Sequence, residues 1–480
     1  MTLAYIAVFF MLAIVYGLLV PGRWRGWVVL GLSVLALYAL QPLLPVRSLD
    51  FALPTATLVL TVVTWWLTRP KDAPLQREDA VALALLVALV LGLTLTRYLR
   101  EDLRITPSRP PEPLAVALAL AVVGAVGLAL WRVARGGRWG GLLSAMIGLI
   151  VVVFVILKAE PLALAASGWL RTLSGQQAAE ATFIDLQWLG FSYVAFRLIH
   201  TLRDRQTGRL PALTLREYAS YVLFFPALTA GPIDRAERFA PDFRALAEQS
   251  GLPASRFVVG STRIGVGLFK KFVLADSLAL FSLNALNAAQ ADSAGATWLL
   301  LYAYAWRLFL DFSGYTDIAI GLGILFGVRL PENFDRPYLR QNITLFWQSW
   351  HITLSNWARF YVFSPLSRIL LKRKPKPSTL VIILIAQLAT MLTIGLWHGV
   401  TVNFVIWGLW HGLGLFVHKA WSDRTRAWYQ RLSERPRVRA AWTVAGVLLT
   451  FHFVVLSWVW FAVPDFQTAL HVYGRLLGLE

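Results

Sequence analysis

The side chains best suited to proton chemistry in this chain are its seven histidines: His200, His351, His398, His411, His418, His452 and His471. Imidazole has a pKa near 6.5 and can take a proton from a hydroxyl at neutral pH. His351 follows Phe346-Trp347-Gln348-Ser349-Trp350. His398 stands in Leu396-Trp397-His398-Gly399, a phrase that recurs as Leu409-Trp410-His411-Gly412. A histidine in an aromatic surround is more often a packing residue than a catalyst. His411, His418 and His452 are read that way, as are His200 and His471 near the ends of apolar blocks. His398 differs in position. It lies beside Gly399 and close to Thr401 and Asn403, at the expected tip of a helical hairpin, where a cavity can form. It is the candidate general base.

Other chemistries find less support. Asp311 and Asp317 are six residues apart, about 240° around a helix, and do not share a face as a catalytic pair would. The sequence holds no glycine-rich phosphate loop and no HExxH motif. His411 and His418 share a helix face seven residues apart, but nothing nearby supplies further ligands, so no metal site is expected. With no cysteine in the chain, disulfides, thiolate metal sites and a cysteine-linked acyl intermediate are excluded.

The elements that must position these residues are helices in a bilayer. Of the 480 residues 57% are hydrophobic and 15% charged, against about 45–50% apolar in a soluble domain. Leu3 to Val20, Val81 to Leu95, Leu114 to Val133 and Leu142 to Leu157 approach or reach the roughly 20 residues that span a bilayer as a helix. The ~10-residue alternating strands of a membrane β-barrel are not visible. The first block lacks a basic lead-in and a clear cleavage site, and is expected to be a retained helix. The fold class is therefore all-α, a polytopic transmembrane helical protein.

The net charge of +19 comes from 45 Lys and Arg against 26 Asp and Glu. These basic residues sit in short clusters between apolar blocks: Arg23 and Arg25, Arg69 and Lys71, Arg132, Arg135 and Arg138. Such clusters follow the positive-inside bias and do not form a basic nucleic-acid-binding domain. Arg368 to Lys376 and Arg424 to Arg439 are accordingly expected on the cytoplasmic side. The blocks Thr379 to Trp397 and Val402 to Val417 then form a hairpin whose tip, His398 to Thr401, points away from the cytoplasm. Arg97, Arg100, Arg104 and Arg109 depart from the bias if every N-terminal block spans once. Either one block is re-entrant, or Glu101, Asp102 and Glu112 soften the bias.

Texture divides the chain. Residues 1–158 are simple Leu/Val/Ala spans with almost no intramembrane polar residues and read as scaffold. Residues 159–480 carry polar, aromatic, Gly and Pro residues inside apolar segments, which is tolerated at membrane depth only where protein or a water-filled cavity covers the backbone. Function belongs there. Arg329 to Gln348, with Pro331, Asn333, Pro337 and Asn342, reads as a loop or re-entrant element.

The ordered pieces Gly190 to Tyr193 with Arg197, Ala230 to Arg235, Gly267 to Lys271, Asp311 to Asp317, Pro331 to Tyr338, Phe346 to Trp357 and Leu396 to Gly399 together resemble the membrane-bound O-acyltransferase family. The likeness is to its bacterial branch of alginate O-acetyltransferases and teichoic-acid D-alanyl transfer proteins. It covers roughly Asp185 to Val463. It implies a helical core with re-entrant elements and a funnel or tunnel through a thinned part of the membrane. His398 matches the family's catalytic histidine and His351 its second important one.

The departures are Gln348-Ser349 where alginate-type members carry an Arg pair, Arg359-Phe360-Tyr361 for an Arg-Asp-Tyr, and a basic loop after Pro365-Leu366. The implied reaction is acyl transfer, acetyl first, from a cytoplasmic thioester donor to a hydroxyl of an extracytoplasmic glycan. D-alanyl transfer from a carrier protein is the alternative. A transporter or flippase for a lipid-linked glycan is the alternative of another class, though no internal repeat supports it. Beside the two histidines, substrate contacts are expected from Trp350, Ser355, Asn356, Trp397, Asn403 and Asp311. The expected partners are membrane lipid, an acyl-CoA or acyl-carrier-protein donor at the cytoplasmic face, and a glycan acceptor or an acyl-relaying protein. No tightly bound cofactor and no nucleic acid are expected. The expected location is the bacterial plasma membrane.

Overall fold

A computed structural model describes residues 2–70, 73–134 and 139–479. The clustered residues Lys71, Arg135 and Arg138 lie outside the described residues. The described chain is helical, with one isolated backbone bridge, Phe334 to Trp350, and no strand. Among the described residues six helices are long and apolar enough to cross a membrane: Leu49–Thr68, Arg77–Tyr98, Gly140–Lys158, Ala294–Phe326, Thr379–His398 and Pro436–Ala462. The protein is a polytopic helical membrane protein.

By packing, the chain divides into two compact units, Met1–Ile264 with Ala319–Leu330, and Gly265–Ile318 with Pro331–Glu480. This division concerns contacts, a different question from the change of texture near Lys158.

The first unit opens with α1 (Leu3–Leu19), α2 (Gly22–Ala39), α3 (Leu49–Thr68), α4 (Arg77–Leu95), α5 (Pro113–Ala134) and α6 (Trp139–Lys158). Here α3 departs from the expectation of nearly polar-free spans. Asp50, Thr57, Thr61, Thr64 and Thr68 recur every three, four or seven residues and are all buried. Thr57, Thr61 and Thr68 offset their share of the cost by donating to the carbonyls of Leu53, Thr57 and Thr64 at 3.1, 2.7 and 2.9 Å, and Trp188 Nε1 donates to Thr57 Oγ1 at 2.8 Å, whereas the Asp50 carboxylate oxygens and Thr64 Oγ1 have no hydrogen-bond partner among the described residues. An irregular run at Phe224-Phe225-Pro226 is held by buried Arg197, which donates to the carbonyls of Val222 and Ala227 at 2.8 Å each. Such carbonyls, left over where a helix breaks, need a donor in the absence of water.

The full-length α3 and α4 place residues 99–112 at the Ser48 end of this unit. In that loop Glu112 pairs with Arg97 at 2.5 Å and Asp102 with Arg100 at 3.2 Å. Local acidic partners therefore accompany two of the four arginines, Arg97 and Arg100.

The second unit holds the polar half of α7 (Ala294–Phe326), which passes to the first unit at Ala319. It also holds α8 (Ile352–Ala358), α9 (Thr379–His398), α10 (Val402–Arg431) and α11 (Pro436–Ser457). Residues 329–348 form a loop carrying two short turns, Pro337–Leu339 and Ile343–Trp347. The predicted hairpin is α9 and α10, joined by three residues. Its helices approach closely at glycines: a Cβ on Gly395 would stand 2.4 Å from the Phe404 carbonyl oxygen, and one on Gly408 2.9 Å from that of Met391. Close backbone contact of this kind is how membrane helices associate when lipid competes for every apolar side chain.

Candidate active site

His351 is positioned by backbone conformation. It is the N-cap of α8 with φ 42° and ψ 53°, in the left-handed region. A non-glycine residue there costs of order 1–3 kcal/mol and persists only where its surroundings fix it. Fully buried Asn333 supplies the fixation. Its Oδ1 accepts from Thr353 Oγ1 at 2.6 Å and from the Thr353 N–H at 3.3 Å, and its carbonyl accepts from the Ile352 N–H at 3.0 Å. The Asp335 N–H donates to the Ser349 carbonyl at 3.0 Å on the other side of the bridge. The Pro331 to Tyr338 loop thus clamps both flanks of His351.

The ring of His351 is buried, edge-on to Phe312 at 4.7 Å and 5.9 Å from Trp397. Its Nε2 has no hydrogen-bond partner among the described residues. His351 lies outside the membrane-spanning helices. Burial pushes its pKa well below the ordinary histidine value, and charge on His398 pushes the same way.

His398 is the last residue of α9 and is half-buried. Its ring contacts Trp397 at 4.5 Å, Phe461 at 4.7 Å, and Phe404 and Trp407 at 5.8 Å. Gly399 is required beside it, since a Cβ there would meet the Phe404 ring at 2.7 Å. Trp397 is therefore packed against both histidines. Two imidazoles in an apolar, aromatic surround, one buried with an open nitrogen and one at a helix end, can hold and move a proton at a hydroxyl placed between them.

The other expected site residues fall into different places. Trp350 is buried among Phe334, Tyr338, Phe346 and Trp458, 5.2 to 5.6 Å away. Ser355 Oγ donates to the Trp350 carbonyl at 3.2 Å, and Asn356 is exposed. Asn403 is buried and its Nδ2 donates to the Val463 carbonyl at 3.1 Å. Asp311 pairs with Lys271, as Asp317 does with Lys270 at 2.7 Å, both lysines lying on a π-helical stretch, Phe269–Ala275. Of these, Trp397 packs against the rings of both histidines, and the Ser355 N–H donates to the His351 carbonyl at 3.0 Å. Sequence reasoning overlooked Asn333 as a clamp, although its Pro-Glu-Asn setting was in view. It also overlooked Phe312 and Phe461 as walls, for which spacing along the chain offers no signal.

The remaining histidines carry structural bonds. His411 is fully buried. Ser457 Oγ donates to the Val454 carbonyl at 2.6 Å, so His411 Nε2–H donates to that oxygen at 2.9 Å, and its Nδ1 accepts from Trp347 Nε1 at 3.3 Å. His452 Nδ1 donates to the Leu448 carbonyl at 2.8 Å and Nε2 accepts from Tyr302 at 2.9 Å. His418 Nδ1 bonds Thr344 Oγ1 at 2.8 Å. His200 joins Asp204 and Glu237 in a group of metal-ligand dimensions. There, however, Arg235 bridges the two carboxylates at 2.9 and 2.6 Å, and the Ala236 N–H donates to His200 Nε2 at 3.2 Å. The cation of this group is the arginine.

A membrane-embedded helical core with a histidine pair in aromatic walls defines a class, and the sequence comparisons agree. Residues 143–460 match the membrane-bound O-acyltransferase (MBOAT) family. The chain belongs to that family and is an acyltransferase. It is 32% identical over 346 residues to the teichoic acid D-alanyltransferase of Streptococcus thermophilus, covering 69% of this chain and 77% of that protein. It is 38% identical over 294 residues to the probable alginate O-acetylase AlgI of Pseudomonas syringae pv. tomato, covering 60% of this chain and 51% of that protein. It is 37% identical over 264 residues to the peptidoglycan O-acetyltransferase of Helicobacter pylori, covering 55% and 47%. The chain thus spans about half the length of the two acetyl-transferring relatives.

Proposed function

We propose that this protein transfers an acyl group, acetyl in the first instance, to a hydroxyl of an extracytoplasmic glycopolymer at the bacterial plasma membrane. The observation that carries the reading is the pair His351 and His398 around Trp397. His398 takes the proton of the acceptor hydroxyl as its oxygen attacks the thioester carbonyl. The carbon–sulfur bond breaks as the new ester forms, and the departing thiolate takes up a proton. His351, held neutral by burial, donates a hydrogen bond to the oxyanion, where such donors are worth most. With no cysteine available, direct transfer is the simplest course.

The donor reading is an acyl-CoA or acyl-carrier protein, with no tightly bound cofactor. Arg368, Lys372, Arg373, Lys374 and Lys376 belong to an exposed segment before α9, and clustered positive charge steers anionic partners. D-alanyl transfer is the second reading. It is favoured by the larger share, 77%, of the D-alanyl-transferring relative that the chain covers.

The test is mass spectrometry of envelope polymers from cells with the protein, without it, and with His398→Gln. Loss of an acetyl ester in the last two supports the first reading, and loss of an alanyl ester the second. Unchanged polymers in both overturn the proposal.

A further inference from the structure

The first unit contains a cavity of about 610 Å³ between α3, α5 and α6, lined almost wholly by carbon. On α3 it is bounded by the face bearing Ala52, Ala56 and Leu60, with Ala119 of α5 and Ile150 of α6 opposite. This is the far side of α3 from the buried stripe of Asp50, Thr57, Thr61 and Thr64. The helix therefore turns its polar stripe inward and an apolar, small-residue face to the cavity. Ser48 and Pro111 line the cavity's end. From Ser48 to Leu60 is about 18 Å along a helix, close to half of a hydrocarbon core roughly 30 Å thick. The cavity thus has the depth of one leaflet, beside α3 and α6, two of the helices long and apolar enough to cross the membrane.

Charge marks the Ser48 and Pro111 end. Arg47 precedes Ser48 and Arg109 stands two residues before Pro111. Both are exposed, and neither has an ion-pair partner among the described residues. Two acidic residues of the adjoining loop are engaged elsewhere, Glu112 with Arg97 and Asp102 with Arg100, and the third, Glu101, is exposed and forms no ion pair with Arg47 or Arg109. Two uncommitted guanidiniums at the headgroup end of a one-leaflet apolar slot complement one ligand chemistry, a phosphate attached to an acyl chain. We propose that this slot binds the acyl chain of an anionic phospholipid, with its phosphate on Arg47 and Arg109. The ligand accounts for arginines where the positive-inside bias disfavours them, because each would face a local anion. It also fills the space that α3, α5 and α6 leave between them, where neither water nor protein supplies contacts.

The experiment is native mass spectrometry of the purified full chain titrated with phosphatidylglycerol and, separately, phosphatidylcholine. Wild type should retain phosphatidylglycerol in preference. Arg47→Gln and Arg109→Gln should each weaken that retention about fivefold, the worth of one basic residue at an anionic membrane surface, while phosphatidylcholine binding is unmoved. Ala56→Trp, which fills the slot, should abolish retention of the tightly held lipid of either kind. Ala119→Phe does the same from the opposite wall should the first variant fail to fold. Equal retention of the two lipids by wild type, or a preference that survives both arginine changes, overturns the proposal. Displacement of the lipid by glycerophosphoglycerol at equal concentration would leave only an anion site and overturns the acyl-chain part. None of these residues belongs to the histidine site, so acyl transfer can be measured alongside as a control on folding.

Discussion

Leu396-Trp397-His398-Gly399 and Leu409-Trp410-His411-Gly412 are the same four residues in the same unit, and the structure gives them opposite lives. In the second phrase the histidine sits inside α10, fully buried, with both ring nitrogens committed to Ser457 and Trp347. Its glycine lets α9 approach, since a Cβ on Gly412 would stand 2.9 Å from the Leu388 side chain. In the first phrase the histidine closes a helix, is half-buried, and shares Trp397 with His351. Its glycine makes room for the Phe404 ring. The chemistry follows from where the helix ends. An imidazole at a terminus can meet a substrate, while one in mid-helix, ringed by tryptophans, serves best as a bridge between helices.

The comparison is broken most severely at His398. His398→Gln removes the proton acceptor and should lower single-turnover acyl transfer by about 10²–10⁴-fold, with donor binding and thermal stability retained. Full activity would transfer the base to another residue. Next comes His351→Ala, expected to cost about 10²–10³-fold, as loss of an oxyanion donor does. His351→Asn should recover part of that, because asparagine tolerates the left-handed backbone and keeps a donor. If His351→Asn falls below His398→Gln, the two roles are reversed.

A smaller effect is expected at the clamp. Asn333→Ala should reduce turnover about tenfold, the worth of one side-chain hydrogen bond, with unchanged donor affinity. Thr353→Val, which removes the other end of the 2.6 Å bond, should reproduce it. A loss confined to KM in both variants would mean that Asn333 shapes a binding surface and does not aim His351. The smallest catalytic effect belongs to the twin phrase. His411→Phe should leave turnover within a few-fold yet lower thermal stability by about 1–3 kcal/mol, because the Trp347 indole N–H loses its acceptor. A turnover loss like that of His398→Gln would erase the distinction between the phrases.

Local chemistry reaches the sequence directly. Uninterrupted apolar blocks have only helices available in lipid, so the all-α class and the spans over Val81 to Leu95 and Leu142 to Leu157 were legible, as was the α9–α10 hairpin from its flanking basic clusters, whereas α3, with its threonine stripe, was not read as a span. His398 was separable from His411 because a hairpin tip can be read from the positions of Gly399 and Thr401. Long-range convergence does not reach it. That Asn333 grips Thr353, that His351 takes a positive φ, and that Phe312 and Phe461 wall the site depend on segments far apart in the chain meeting after packing. The same holds for Ser355 and Asn403. Their polar groups suggested substrate contact, but their hydrogen bonds run to the Trp350 and Val463 carbonyls. Sequence determined which residues could do acid–base chemistry in a membrane. Tertiary structure alone decided which of them were left with an open nitrogen, because in a dry interior each polar group must find a partner and only packing decides where partners run out.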